Sequence, residues 1–200
     1  MPCPLTLDGW LTFNEDRWNV TAHRVRIGLD ESDKSGFIAV GYLDRKGRYV
    51  LPPMNPHWPV AFHPTPTQII SRREHQWLEN ASNLVEHMLA HGTRGTVALP
   101  PEVTDPRPWV WAGFQVRALF TYYIDFPYEV RQAHSGVRKQ IRRAIRSGLS
   151  ARPADRAEDV LECLYETESR QGFDLQLDHE TLKHGLQLIG PDAFRLYVCY

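Results

Sequence analysis

The sequence predicts an α+β fold, a mixed α/β arrangement with strands and helices interspersed rather than repeated as βαβ units. Three observations carry that expectation. A two-strand hairpin pattern occupies 36–51, a long amphipathic helix pattern fills 71–91, and a strongly basic amphipathic helix pattern runs over 129–148. No repeat of solenoid length is visible, and only the proline-dense stretch between the first two is compositionally biased.

Residues 1–35 hold no regular period, although Trp10, Leu11, Phe13 and Trp18 are candidates to cover the edge of a core. At 36–43 the run Gly-Phe-Ile-Ala-Val-Gly-Tyr-Leu is apolar and β-prone. The polar turn Asp44-Arg-Lys-Gly47 separates it from a second apolar run at 48–51, which makes a hairpin. Pro52, Pro53, Pro56, Pro59, Pro64 and Pro66 then exclude a helix and leave room only for a short strand at 60–62.

Over 71–91, Trp77, Leu78, Ala81, Leu84, Val85, Met88 and Leu89 recur at helical spacing and form one apolar face. Ser71 with Glu74 reads as a capping box, and Gly92 as the stop. A short strand is expected at 96–99, ended by Pro100 and Pro101, then a helical turn at 107–113. The segment 114–126, rich in β-branched and aromatic residues, reads as one or two strands. In the basic segment, Val130, Ala133, Val137, Ile141, Ala144 and Ile145 make an apolar stripe that ends at Gly148. A short extended piece at 149–153, helices at 157–171 and 179–189, and a strand opening at 194–200 complete the chain. It ends inside that strand pattern and is therefore expected to be truncated.

The apolar fraction of 42% and charged fraction of 24% are those of an ordinary globular domain able to bury a core. A formal net charge of −1 gives no global attraction to nucleic acid or an anionic membrane, so any such partner must be held by a local patch. Cys3, Cys163 and Cys199 are odd in number and far apart, neither a disulfide framework nor a zinc pattern, and a reducing, cytoplasmic setting is the simplest expectation. The N-terminus lacks the basic and apolar regions of a signal peptide. No stretch approaches the roughly 18 apolar residues of a membrane span.

The local patch is the basic segment itself. Five of the nine residues from Arg138 to Arg146 are cationic, with Arg138, Arg142 and Arg146 in one i, i+4 row and Lys139 and Arg143 beside it. Like charges so spaced repel, so helix propensity does not account for them. Three readings stay open: a solvated face paired with acids such as Glu158, Asp159 or Glu162, a receiver of anionic substrate groups, or a nonspecific nucleic-acid contact. His87 and His91 share a helix face at a spacing that suits a metal. They lack a His-Glu-x-x-His arrangement and an evident third ligand, so the pair reads as an exposed helix end and no metal is assigned. Cys163 sits among acids, which do not lower a thiol pKa, and no Gly-x-Ser-x-Gly elbow occurs.

The order of several short pieces resembles the FemAB-like branch of the GNAT acyltransferase superfamily. Arg138-x-x-Ile141-Arg142-Arg143-Ala144-x-x-x-Gly148 looks like the opening of that family's second unit. Pro108-Trp-Val-Trp-Ala-Gly-Phe-Gln-Val116 and Thr121-Tyr-Tyr-Ile-Asp125 are similar to the passage before it. Tyr165-Glu-Thr-Glu-Ser-Arg-Gln-Gly172 resembles a helix of that second unit, and Phe194-Arg-Leu-Tyr-Val198 the strand that begins its sheet. The likeness holds from about Leu51 onward and is poor over 1–35.

The resemblance implies two GNAT-like units, 1–128 and an incomplete 129–200, from an enzyme that transfers an acyl group from acyl-CoA (acetyl-CoA) or aminoacyl-tRNA to an amine. The acceptor would be a small or cell-wall-precursor-like anionic molecule. The glycine-rich loop that would hold the acyl-CoA pyrophosphate at a helix N-terminus is not in this chain, so the fragment is expected to be inactive alone. The sequence points to no catalytic base. Arg138 and Arg142 are expected to hold the anionic acceptor, with Tyr122 and Trp111 lining its cleft; the competing role for Trp109, Trp111, Phe114, Tyr122 and Tyr123 is core packing. The alternative of another class is a noncatalytic module whose basic helix docks on RNA or an acidic partner.

Overall fold

A computed structural model describes residues 3–29, 35–122, 124, 127–154, 156–172, 178–191 and 193–200. The fold is mixed α+β and divides into two compact units, Met1–Arg117 and Ala118–Tyr200.

In the first unit, helix α1 (Asp8–Trp18) leads into strands β1 (Thr21–Ile27), β2 (Gly36–Leu43), β3 (Tyr49–Val50) and β4 (Val60–His63), with helices α2 (Ile70–His91) and α3 (Arg107–Trp111) after them. Strand β2 is the centre of an antiparallel four-stranded sheet. One of its edges pairs along its length with β1, and the other is shared end to end by β4 and β3. The register sets His23 opposite Gly41, Val25 opposite Ala39 and Ile27 opposite Phe37. Strand alternation puts these six on one face. There Phe37, Ala39 and Val25 form the main core with Ala81, Leu84, Val85 and Met88 of α2, Trp58, and Trp109 of α3. The other face carries Arg24, Val40 and Tyr42 and meets α1: Arg24 pairs with Asp8, and Trp10, Leu11 and Phe13 are buried. Because β2 is covered on both faces, its sequence is nearly continuously apolar.

The unperiodic N-terminal stretch is thus a helix and an edge strand. Helix α1 is pinned by a buried polar chain. The Trp10 indole donates to Asn55 Oδ1 (2.9 Å), Asn55 Nδ2 donates to Asn14 Oδ1 (2.6 Å), and Asn14 Nδ2 donates to the Trp10 carbonyl (2.8 Å). The expected capping box of α2 is absent: the helix begins at Ile70 behind Ile69, with no side-chain cap, and Ser71 lies inside its first turn. Gly92 ends it at φ 72°, as expected. Residues 96–99 are not a strand. They contribute one ladder-like bond, from the Trp58 N–H to the Ala98 carbonyl (2.9 Å), while Val97 and Leu99 lean on the core.

In the second unit, a 3-10 turn (Val130–Gln132) precedes α4 (Ser135–Arg146). Beyond it come strand β5 (Ala151–Pro153), helices α5 (Ala157–Gln171) and α6 (His179–Ile189), and strand β6 (Tyr197–Cys199). Strands β5 and β6 are antiparallel, and the ladder extends outward through Ser150 with Tyr200 and Ala154 with Leu196. Among the described residues here, Leu161, Leu182 and Val198 are the buried apolar ones. The basic helix is shorter than 129–148 because His134 caps it, its ring accepting from the Gly136 N–H (3.2 Å), so Val130 and Ala133 lie outside its stripe. The expected strands at 114–126 do not form among the described residues. Residues 115–122 and 124 are exposed with no ladder partner, and β propensity without pairing makes no strand. Tyr123, Asp125 and Phe126 lie outside the described residues.

Candidate functional site

Helix α4 presents Lys139, Arg142, Arg143 and Arg146 to solvent, with Arg138 half-buried. No residue of the helix is buried, and Val137 and Ile145 on its apolar stripe are themselves exposed. Arg138 donates from Nη1 to the Arg131 carbonyl (2.8 Å) and Arg146 from Nε to the Arg142 carbonyl (3.3 Å). Among the described residues, none of Arg138, Lys139, Arg142, Arg143 and Arg146 meets a carboxylate. Two of the acids that could have paired with them are engaged elsewhere. Glu158 meets His179 (3.1 Å), while Asp159 takes Arg156 (3.0 Å) and the Tyr200 hydroxyl (2.7 Å). The Tyr200 hydroxyl first, and then the Arg156 guanidinium, hold the Asp159 carboxyl below the usual carboxylate range.

The aromatic residues expected beside the arginines separate by burial. Trp109 is in the first unit's core, its indole N–H against Met88 Sδ (3.4 Å), and Phe114 packs against that core. Core packing does not hold for the other two described. Trp111 of α3 is 66% exposed with the Arg107 guanidinium over its ring, and Tyr122, in the second unit, is 99% exposed. Tyr123 lies outside the described residues.

A second cationic feature, not singled out in the sequence, is an open groove of about 610 Å³ in the first unit, lined by Arg45, Lys46, Arg48 and Arg94. Part of its charge is spent internally, since the Arg48 guanidinium donates to Asp44 Oδ2 from Nε (3.1 Å) and Nη2 (2.8 Å).

Among the described residues of the first unit, chemistry-bearing side chains gather at His23, Tyr49, His87 and His91. Each arrives for a local reason. Strand alternation turns His23 of β1 toward α2. His87 and His91 stand one turn apart at the end of α2. Tyr49 is carried to them because β3 is tied to the chain just past that helix: its N–H donates to the Gly92 carbonyl (2.9 Å), and its carbonyl accepts from the Arg94 N–H (2.7 Å). The Tyr49 hydroxyl lies 2.9 Å from His23 Nδ1 and 2.9 Å from His87 Nε2. His91 Nδ1 is 3.0 Å from the His87 carbonyl. A carbonyl only accepts, so that nitrogen is the protonated one, and Nε2 of a neutral His91 keeps its lone pair.

The three imidazoles are half-buried, so the pair on α2 is not an exposed helix end. Burial, and then the charge of His91, lower the pKa of His23. Burial, then His91, then His23 lower that of His87. Tyr49 keeps its proton, pushed up to about 12 by burial. One ligand atom from each histidine lies within 4.8 Å of the other two. Sequence spacing exposed His87 and His91 but not His23, which lies far from them in the chain and in a segment with no readable period. Comparison with protein families, with curated proteins and with solved structures finds no match to this chain.

Proposed function

We propose that this chain is a portion of an N-acyltransferase of the FemAB-like kind, in which α4 receives an anionic amine acceptor. The observation that carries the reading is the cation row of α4, accessible at Arg142 and Arg146 and without a carboxylate partner among the described residues. Arginine forks at i, i+4 match phosphate or carboxylate oxygens, and repulsion along the row is relieved when an anion binds. The α+β architecture and the order of the Trp-Ala-Gly-Phe, Thr-Tyr-Tyr-Ile-Asp and Arg-x-x-Ile-Arg-Arg passages are compatible with that assignment. Tyr122, in the same unit as α4, is proposed as exposed aromatic surface for the same acceptor.

The acyl donor is proposed as acyl-CoA or an aminoacyl-tRNA. No two glycines of the chain are spaced i, i+2, so no residue here is assigned to a donor pyrophosphate. The test is acetyl-CoA-dependent thiol release by the full-length protein with a panel of amines bearing carboxylate or phosphate groups. The paired substitution Arg138→Gln, Arg142→Gln should raise KM for anionic amines several-fold and leave neutral amines unaffected. Equal KM values for the variant and the parent would sink the proposal. The noncatalytic alternative predicts instead that α4 binds an RNA oligonucleotide with affinity falling steeply as salt rises.

A further inference from the structure

We propose that His23, His87 and His91 bind one divalent transition-metal ion of the zinc class, through one nitrogen of each ring, with a fourth position beside the Tyr49 hydroxyl. This site lies within the first unit and is independent of the reading of α4.

The ring spacings fit such an ion. A zinc–nitrogen bond of about 2.0 Å plus the ring radius places an imidazole centre about 3.2 Å from the metal, and tetrahedral angles then separate ring centres by about 5.2 Å. The observed separations are 5.4 Å for His23 and His87, 5.4 Å for His23 and His91, and 4.7 Å for His87 and His91. The ligand atoms, mutually within 4.8 Å, need only modest side-chain rotation to converge further. Two ligands one helical turn apart and a third from a paired strand form a largely preorganised set, so little ordering remains to be done on binding. His91 also has an outer partner that orients its ring, the His87 carbonyl at 3.0 Å.

Ligand chemistry narrows the choice of ion. Three imidazoles with no carboxylate suit zinc, copper or nickel and not magnesium or calcium, which take oxygen. The Tyr49 hydroxyl, 2.9 Å from two of the rings, stands where a fourth ligand or a hydrogen-bonded water belongs. An ion held there would clip β1 to the end of α2 at the point where β3 also joins.

The experiment is cobalt(II) titration of the chelator-treated chain, monitored by the visible d–d band of tetrahedral cobalt, with zinc calorimetry for stoichiometry. One equivalent is expected. His23→Gln, His87→Gln and His91→Gln should each weaken binding about tenfold or more. His63→Gln, at an exposed position on β4, should bind as the parent does. Should a variant fail to fold by circular dichroism, the parent chain still decides the matter: zinc should slow diethyl pyrocarbonate modification of His23, His87 and His91 relative to His63. Absence of a cobalt band, a band that survives all three substitutions, or equal modification with and without zinc would overturn the proposal.

Discussion

The ring of Tyr49 occupies the space that a side chain at position 41 would need: a Cβ placed on Gly41 would lie 2.6 Å from one ring carbon of Tyr49 and 2.9 Å from another. Gly41 is therefore required by close approach, and it stands opposite His23 in the sheet. The tyrosine cannot retreat easily, because it is buried and both its backbone N–H and its carbonyl are bonded to the chain just past α2.

Gly41→Ala should accordingly destabilise the first unit by about 1–3 kcal/mol, the usual cost of overpacking. Urea unfolding monitored by tryptophan fluorescence measures it as a lower midpoint. A midpoint equal to the parent's would show that the ring can move aside.

The chain of bonds from Trp10 through Asn55 to Asn14 predicts a second effect. Asn55→Ala leaves the buried Trp10 indole N–H without its acceptor and should cost about 1–3 kcal/mol. Because Asn14 shares the same partner, the loss in Asn14→Ala, Asn55→Ala should be smaller than the sum of the single losses. Chemical denaturation of the four chains completes the cycle.

The hairpin turn predicts an acid dependence. The Arg48 backbone N–H foremost, together with the Arg48 guanidinium and the Lys46 N–H, outweighs burial and holds the Asp44 carboxyl at about 2. A carboxyl depressed in the folded state stabilises fully above its unfolded pKa, near 3.8, and loses that contribution as pH falls through the folded value. Melting temperatures between pH 5 and pH 2 (a window of roughly the depressed range) should fall less steeply for Asp44→Asn than for the parent.

The solvent-facing cations of α4 predict near-silence in stability. Arg142→Ala, Arg143→Ala should change the unfolding free energy by no more than about 0.5 kcal/mol, as exposed substitutions away from partners do. A larger loss in thermal or urea unfolding would mean that an internal carboxylate partner exists after all.

Much of the secondary structure was legible because its signals are local. The hairpin at 36–51, the helices at 157–171 and 179–189 and the stop at Gly92 rest on period, turn chemistry and glycine, and they appear where expected. The failures are non-local. β1 and α1 were unreadable because β1 lies at a sheet edge and α1 is pinned by polar bonds to Asn55, which leaves little apolar period. Segment 114–126 had strand composition, yet its described part found no partner. His23 joined His87 and His91 only through the β1–β2 register, which spacing along a chain cannot reveal.

That register has a last consequence, for self-association. β1 is the edge of its sheet, and the outward-facing backbone groups fall on Ala22, Arg24 and Arg26, the residues alternate to those bonded to β2. The Ala22 N–H is already taken by the Glu15 carboxylate (2.8 Å), and the next two positions belong to arginines. A second molecule adding a strand there would have to displace a side chain and bring up charge against charge. The edge is guarded against sheet-to-sheet aggregation by the same short stretch that brings His23 to the end of α2.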